Sequence, residues 1–439
     1  MTENLPVGSA SAAGEQQSPA PSNWSLKAGI RTRFEAIGGQ FRPDAARSDQ
    51  ALLVRSSLAA LYEHGAVRMG AEIWDARAYL EQPNSSIGTG EVNTLALIQA
   101  YGGVALGDSD NRTTIDFGRF TMNIGSRRLV SRQNFRNSTN AYTGVHLHHD
   151  DARGRRIDAF WAMPQRRLPD DAAALRDDRH AFDKEGTSLQ YYGVSAETPI
   201  GRGIRAEVYG YGLSERDAPG RRTHNRHLWT PGLRLHRPAR AGTFDLDIEL
   251  SGQLGTARKS ADPADRRDLP VRAGAAHVEV GRRFAASGLP RVAVGFDYGS
   301  GDGTDRAIGR FDRLFGARRF DYGPTSLFGV MARENEVSAS VAGDWHPALR
   351  WRARGSYRAM WLARANDSFA ASGIRDRSGQ SGRFAGHLVE ARLSGPVMPH
   401  AKFEIGAAYL AKGRFLRHAP NAPATGNTRY AYAQIELSL

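Results

Sequence analysis

The chain has 439 residues, 40% of them hydrophobic and 24% charged, with 48 glycines and no cysteine, which excludes a disulfide framework and a thiolate metal site. No window reaches the roughly 18 uninterrupted apolar residues of a membrane-spanning helix, so a helical membrane protein is excluded, whereas a membrane barrel with strands of about 9 to 11 half-polar residues is not. The 59 Lys and Arg against 46 Asp and Glu leave a formal charge of +13, and the excess is mostly arginine, whose planar fork suits carboxylates and phosphates, so an acidic partner is expected.

Residues 1–23, MTENLPVGSASAAGEQQSPAPSN, are rich in Ser, Ala, Pro and Gln and are expected to be disordered. They lack a charged n-region followed by an apolar h-region, so no secretory signal is visible. An exported protein would then have lost its leader, with SASAAG near an old cleavage site.

From Trp24 onward the dominant signal is period-two alternation, which in a strand sends successive side chains to opposite faces. In SLKAGIRTRFEAIG, Leu26, Ala28, Ile30, Phe34 and Ala36 share one face and Lys27, Arg31, Arg33 and Glu35 the other. Strands of the same polarity follow at 52–62, 67–74, 156–163, 204–211 and 276–284, then at 292–298, 336–345, 387–393, 402–411 and 430–439. TFDLDIELSGQLG repeats the pattern, and so does LRWRARGSYRAMW, where Arg350, Arg352, Arg354 and Arg358 oppose Trp351, Ala353, Tyr357 and Trp361. With weaker segments the count is about 18.

Connections alternate between tight turns, such as EHGA, PIGRG, RPARAG, SGLP and HPALR, and long polar loops at 38–50, 165–186, 256–270, 299–333 and 365–383. Short periplasmic turns and long extracellular loops are the pattern of an outer-membrane barrel. The expected fold is therefore all-β: a transmembrane antiparallel β-barrel of about 18 strands over 24–439, in a bacterial outer membrane. No domain boundary is visible within it. A mean hydropathy of -0.49 is no objection, because a large barrel has a wet lumen.

An arginine on the lipid face at the bilayer midplane costs about 2 to 4 kcal/mol, so alternation puts Arg31, Arg33, Arg55, Arg354, Arg358 and Arg392 in the lumen, beside acidic Glu35, Glu72, Asp247 and Glu390. These arginines are either wall ion pairs or groups left free to attract an anion. A second cluster, Arg127, Arg128, Arg132 and Arg136, falls in one connection between two strands. It is a solvated surface, a site for lipopolysaccharide phosphates, or part of the pore mouth. The basic loop 125–140 and the long loop 299–333, with Arg310, Arg313, Arg318 and Arg319, are the segments able to reach a constriction.

Two further stretches carry little chemistry. In HLHHDD, His146 and His148 share a strand face and His149 does not, so no metal site is expected; GSGDGTD has neither a following helix nor the bidentate Glu of a calcium loop. No catalytic order of Ser, His and Asp emerges, and neither an enzyme, a cofactor nor a nucleic-acid partner is expected.

DFGRFTMNIGSRRLVSRQNFRNSTNAYTGVHL, VGFDYGSGDGTDRAIGRFDRLFGARRFDYG and YRAMWLARANDSFAASGIRDRSGQSGRFAGHLVEARL, in that order, resemble the alginate export family of outer-membrane proteins. The resemblance implies an 18-stranded barrel that passes an anionic polysaccharide through an arginine-rich pore partly closed by loops, with periplasmic export partners possible. By motif, Arg119 in FGRF corresponds to a pore arginine of the family, with Arg127 and Arg128 in the adjoining loop, while Phe120 stands where the family usually has Gln. Strict alternation instead puts Arg119 with Ile115 and Phe117 on the lipid face, unless Gly118 marks a bulge. The function expected is a channel for an anionic solute, an acidic polysaccharide such as alginate or its oligomers. The alternatives are a general or small-anion nutrient porin and a plugged structural or surface-binding barrel.

Overall fold

The computed structural model describes residues 23–303 and 306–439; the expected disordered segment, apart from Asn23, lies outside the described residues. The strands are β1 (Trp24–Gly38), β2 (Ser48–His64), β3 (Val67–Tyr79), β4 (Asn93–Gly107), β5 (Arg112–Phe120) and β6 (Tyr142–Asp150), followed by β7 (Arg156–Pro164), β8 (Leu189–Gly201), β9 (Ile204–Glu215), β10 (His227–Arg237), β11 (Phe244–Ala257) and β12 (Leu269–Arg283). The ring continues with β13 (Arg291–Gly299), β14 (Glu336–Trp345), β15 (Arg352–Trp361), β16 (Phe384–Met398), β17 (Ala401–Lys412) and β18 (Thr428–Ser438). Each pairs antiparallel with its chain neighbours, and β18 returns to β1 from Gly29↔Ser438 to Gly38↔Arg429, closing one 18-stranded sheet. Closure leaves no unpaired edge, which is the condition for a sheet to cross a bilayer.

The two faces follow the sequence alternation. Ile30, Phe34, Leu58, Val208 and Val294 are exposed on the outside, while Arg31, Arg33, Glu35 and Arg55 are buried inside. An apolar outer face and a polar inner one let every strand satisfy lipid and lumen at once.

Turns at one rim are short, such as 65–66 and 202–203, and the connections at the other are long. The long ones include L1 (39–47), L2 (80–92), L3 (121–141), L4 (165–188), L7 (300–335), L8 (362–383) and L9 (413–427). L3 and L7 do not stand out in solvent. Phe120, Met122, Ile124, Leu129 and Val130 at L3 form one buried cluster with Tyr191, Tyr211 and Phe311, against the β5–β12 wall. Leu327, Phe328, Val330 and Met331 of L7 form another with Phe41, Leu53, Phe369 and Phe415, against the wall around β1 and β16–β18. Burying a large apolar side chain contributes roughly 1.5 to 3 kcal/mol, so these loops are anchored inside the long-loop end of the barrel.

Candidate functional site

L3 crosses the lumen. Its Arg128 meets the β11 wall, with Glu249 at 2.6 Å and Asp247 at 3.0 Å, while the carbonyls of Asn134 and Arg136 accept from Arg31 of β1, almost opposite in the ring, at 2.5 and 2.8 Å. Arg33 donates to the Phe135 carbonyl, lies 4.1 Å over the Phe135 ring and pairs with Glu35 at 2.7 Å. Arg55 reaches Asn134 Oδ1 at 3.3 Å, and Arg132 forks onto both oxygens of Glu72 of β3. Inward-facing polar positions of β1, β2, β3 and β11 thus hold the loop by charge-assisted hydrogen bonds, the stronger kind.

L7 lies against L3. Phe315 N donates to the Leu129 carbonyl at 3.1 Å and Ala317 N to the Arg127 carbonyl at 3.0 Å. Gly316 sits so close that a Cβ there would lie 1.7 Å from the Arg128 carbonyl oxygen, so the approach requires glycine. A short helix in L7, α2 (Arg319–Tyr322) in the structure's order after α1 (Ala172–Arg176), carries Asp321, which accepts from Arg128 and Arg333. Arg319 pairs with Glu390 at 2.7 Å and Glu404 at 3.3 Å on the far wall, and the Arg127 guanidinium lies 3.9 Å over Phe320. Arg127, Arg128, Arg132 and Arg136 therefore gather inside the barrel.

The strand-borne arginines sort into two kinds. Arg358 is held by Asp297 at 2.7 Å and Ser338 at 2.6 Å, Arg352 by Asp344 at 2.6 Å, and Arg354 more loosely by Asp344 at 3.4 Å. Arg55 has Glu436 at 3.7 Å. Arg31 and Arg392, by contrast, have no carboxylate within 4.0 Å among the described residues, and Arg392 donates no hydrogen bond there.

Two expected placements are corrected. Arg119 shares the outward row of Ile115 and Phe117 and pairs with Glu185 of L4 at 2.6 Å, because the β4–β5 register runs unbroken from Ala100↔Arg119 to Gly107↔Arg112. Gly118 takes a φ of +120° without inserting a residue, so there is no bulge to turn Arg119 into the lumen. Arg350 leaves the lumenal row too: β15 begins at Arg352, and Arg350 occupies the preceding turn with a φ of +65°. His146 and His148 both bond Asp158, at 3.1 and 2.8 Å, and His149 turns the other way to Thr113.

Sequence reasoning passed over Arg42 and Arg167. Arg42 of L1 donates to the Leu327 and Phe328 carbonyls at 2.6 and 2.8 Å, and Arg167 of L4 to the Thr139 carbonyl at 2.9 Å. Both lie in loops, where no periodicity marks an inward side chain.

With the closed barrel and its internal loops in place, the family match decides the affiliation, since the family model for alginate export covers residues 23–430. The chain belongs to the alginate export family. It is an outer-membrane channel, and its fold is that of outer-membrane porins. OccAB1 of Acinetobacter baumannii is similar at a TM-score of 0.61 and 12% identity, over 97% of this chain and 99% of that one. Pseudomonas aeruginosa OccK2 (OpdF), solved in complex with glucuronate, gives 0.58 and 12% over 94% and 96%. P. aeruginosa OpdK, solved with vanillate, gives 0.58 and 12% over 94% and 98%. None of the curated proteins compared matches the chain in sequence. At these identities the structural likeness speaks for the fold. The family's members and fold are those of transport channels, not enzymes.

Proposed function

We propose that this alginate export family channel passes small carboxylate-bearing solutes, acidic sugars foremost, and selects them at the arginine layer formed by L3, L7 and the barrel wall. The observation that carries the reading is that Arg31 and Arg392, both on inward rows, have no carboxylate partner among the described residues: Arg31 is bonded only to neutral oxygens of L3, and Arg392 donates no hydrogen bond there. Two unit charges 4 Å apart interact by about 1 kcal/mol in bulk water and about 4 kcal/mol at an effective dielectric of 20. Guanidiniums that no carboxylate neutralises, in a loop-narrowed lumen, therefore attract an anion far more strongly than the same groups would on a surface. Paired arginines such as Arg358 shape the wall and contribute little net field.

Small size is favoured by the packing of L3 and L7. Both are anchored by buried apolar side chains, so a polymer would have to displace them, whereas a single sugar acid would not. Glucuronate and vanillate, present in two structural neighbours, are carboxylates of that scale. Acidic polysaccharide, the cargo the family name points to, is the second reading, supported by the match over 23–430. Lipopolysaccharide phosphates and periplasmic export partners are not required by either.

The experiment is solute flux through the purified protein in liposomes. Faster entry of glucuronate than of glucose, falling steeply with oligouronate length, supports the proposal. Equal entry of the two sugars contradicts anion selection, and undiminished passage of long oligouronates would favour the polymer reading.

A further inference from the structure

Behind the crossing point of L3 and L7, beside the β6–β7 wall, lies a cavity of about 170 Å³ lined by Gln133, Arg136, Gln165, Arg167, Arg313 and Arg318, among others. That is room for roughly five water molecules or one compact anion. Four guanidiniums from three loops meet there, and one of them, Arg313, has a carboxylate within 4.0 Å among the described residues, Glu334 at 3.3 Å. Arg318 donates to the carbonyls of Gly329 and Met331, and Arg167 to Thr139 O and Asn140 Oδ1. Arg136 donates to nothing among the described residues.

Several atoms of these side chains are buried without a partner: Arg136 Nε, Arg167 Nε, Arg313 Nη1 and both amide atoms of Gln165. A buried polar group left unpaired is destabilising, and more so when it is charged. Burial, with Arg313 and Arg167 close by, lowers Arg136 to about 10 against the opposing pull of Glu91. Burial and the nearby Arg313, Arg136 and Arg42 also lower Arg318, against the opposing pull of Glu334. Such a concentration of like charge is costly to assemble unless an anion offsets it.

We infer that this cavity is a binding site for a soluble oxyanion, a carboxylate or phosphate, which bridges L3, L4 and L7 and fastens them together. Arg136 supplies the free fork, Arg167 and Arg313 the flanking charge, and Gln133 and Gln165 neutral hydrogen bonds. The proposal concerns a bound anion at a fixed place and stands independently of what the channel conducts.

The test is amide hydrogen exchange of the full-length protein in detergent, comparing inorganic phosphate with chloride at matched ionic strength. A ligand at ten times its Kd lowers the open population about elevenfold, so saturating phosphate should slow exchange across 131–141 and 313–318 by about that factor, and the double variant Arg136→Gln/Arg167→Gln should lose the effect. Equal protection by chloride, or protection retained in the variant, overturns the site. If the variant does not assemble, the comparison of phosphate with chloride in the unmodified protein decides by itself. Bilayer selectivity is a separate readout, so loss of either conclusion leaves the other standing.

Discussion

Arg354 of β15 and Arg392 of β16 are direct cross-strand partners, two like charges side by side on the inner wall, and Asp344 answers the first alone, at 3.4 Å. Like charges directly opposite are destabilising, typically by a few tenths to about 1 kcal/mol. Replacing Arg392 by Gln should therefore leave the barrel as stable or slightly more so, while weakening its attraction for anions. Thermal unfolding in detergent, followed by circular dichroism, checks the first half; a clear fall in the midpoint would mean that Arg392 holds the wall together.

Arg128 is the opposite case. It is shared by Asp247, Glu249 and Asp321; without it Asp247 keeps Arg234 at 2.7 Å and Asp321 keeps Arg333, but Glu249 loses its guanidinium. Breaking a buried pair by removing one partner costs about 3 to 5 kcal/mol. Arg128→Gln is expected to release L3 from the β11 wall, with faster amide exchange over 121–141 and larger single-channel conductance, in a barrel that still migrates as a folded species on unheated gels. Unchanged exchange would show that the apolar cluster alone fixes the loop.

Gly316→Val should produce a similar loosening by a different route. The new side chain would fall on the Arg128 carbonyl, which is backbone and cannot yield. Conductance should rise and fluctuate, with the strands unaffected. A variant indistinguishable from the parent would mean that L7 shifts without consequence.

The loop layer should also withstand acid. Burial alone would raise the Asp321 carboxyl, but Arg128 and Arg333 outweigh it and hold it well below the usual carboxylate range. A carboxylate depressed in the folded state adds stability that is complete above its unfolded pKa and disappears as pH falls through the folded value. Conductance should thus be steady from neutral pH down to about 4, the ordinary aspartate value, with any opening due to Asp321 confined to lower pH. Opening between pH 6 and 5 would place the switch elsewhere.

Much of this architecture was legible in the sequence because period-two alternation reports facing directly: Ile30 and Phe34 outward, Arg31 and Arg33 inward. The same rule placed Arg119 outward, and the motif resemblance argued for the pore; the unbroken register agrees with the alternation. Arg350 shows the rule's limit, since a tight turn that ends one residue before a strand preserves the polarity pattern while abandoning the strand. The loop sites were visible only as arginine-rich connections. Their partners lie 119 and 193 residues away for Arg128, as the partner of the strand-borne Arg358 lies 61 away, and no local pattern encodes which carboxylate neutralises which guanidinium. That pairing separates structural arginines from those left to meet a solute.

The most direct measurement is the reversal potential in planar bilayers under a salt gradient, comparing the unmodified channel, Arg31→Gln/Arg392→Gln, and Arg119→Gln as the outward-facing control. Lumenal guanidiniums without a neutralising carboxylate should make the unmodified channel and the control prefer anions to the same degree, and the double variant should lose most of that preference while keeping a folded barrel. An unmodified channel that prefers cations, or a double variant with its anion preference intact, would contradict the account.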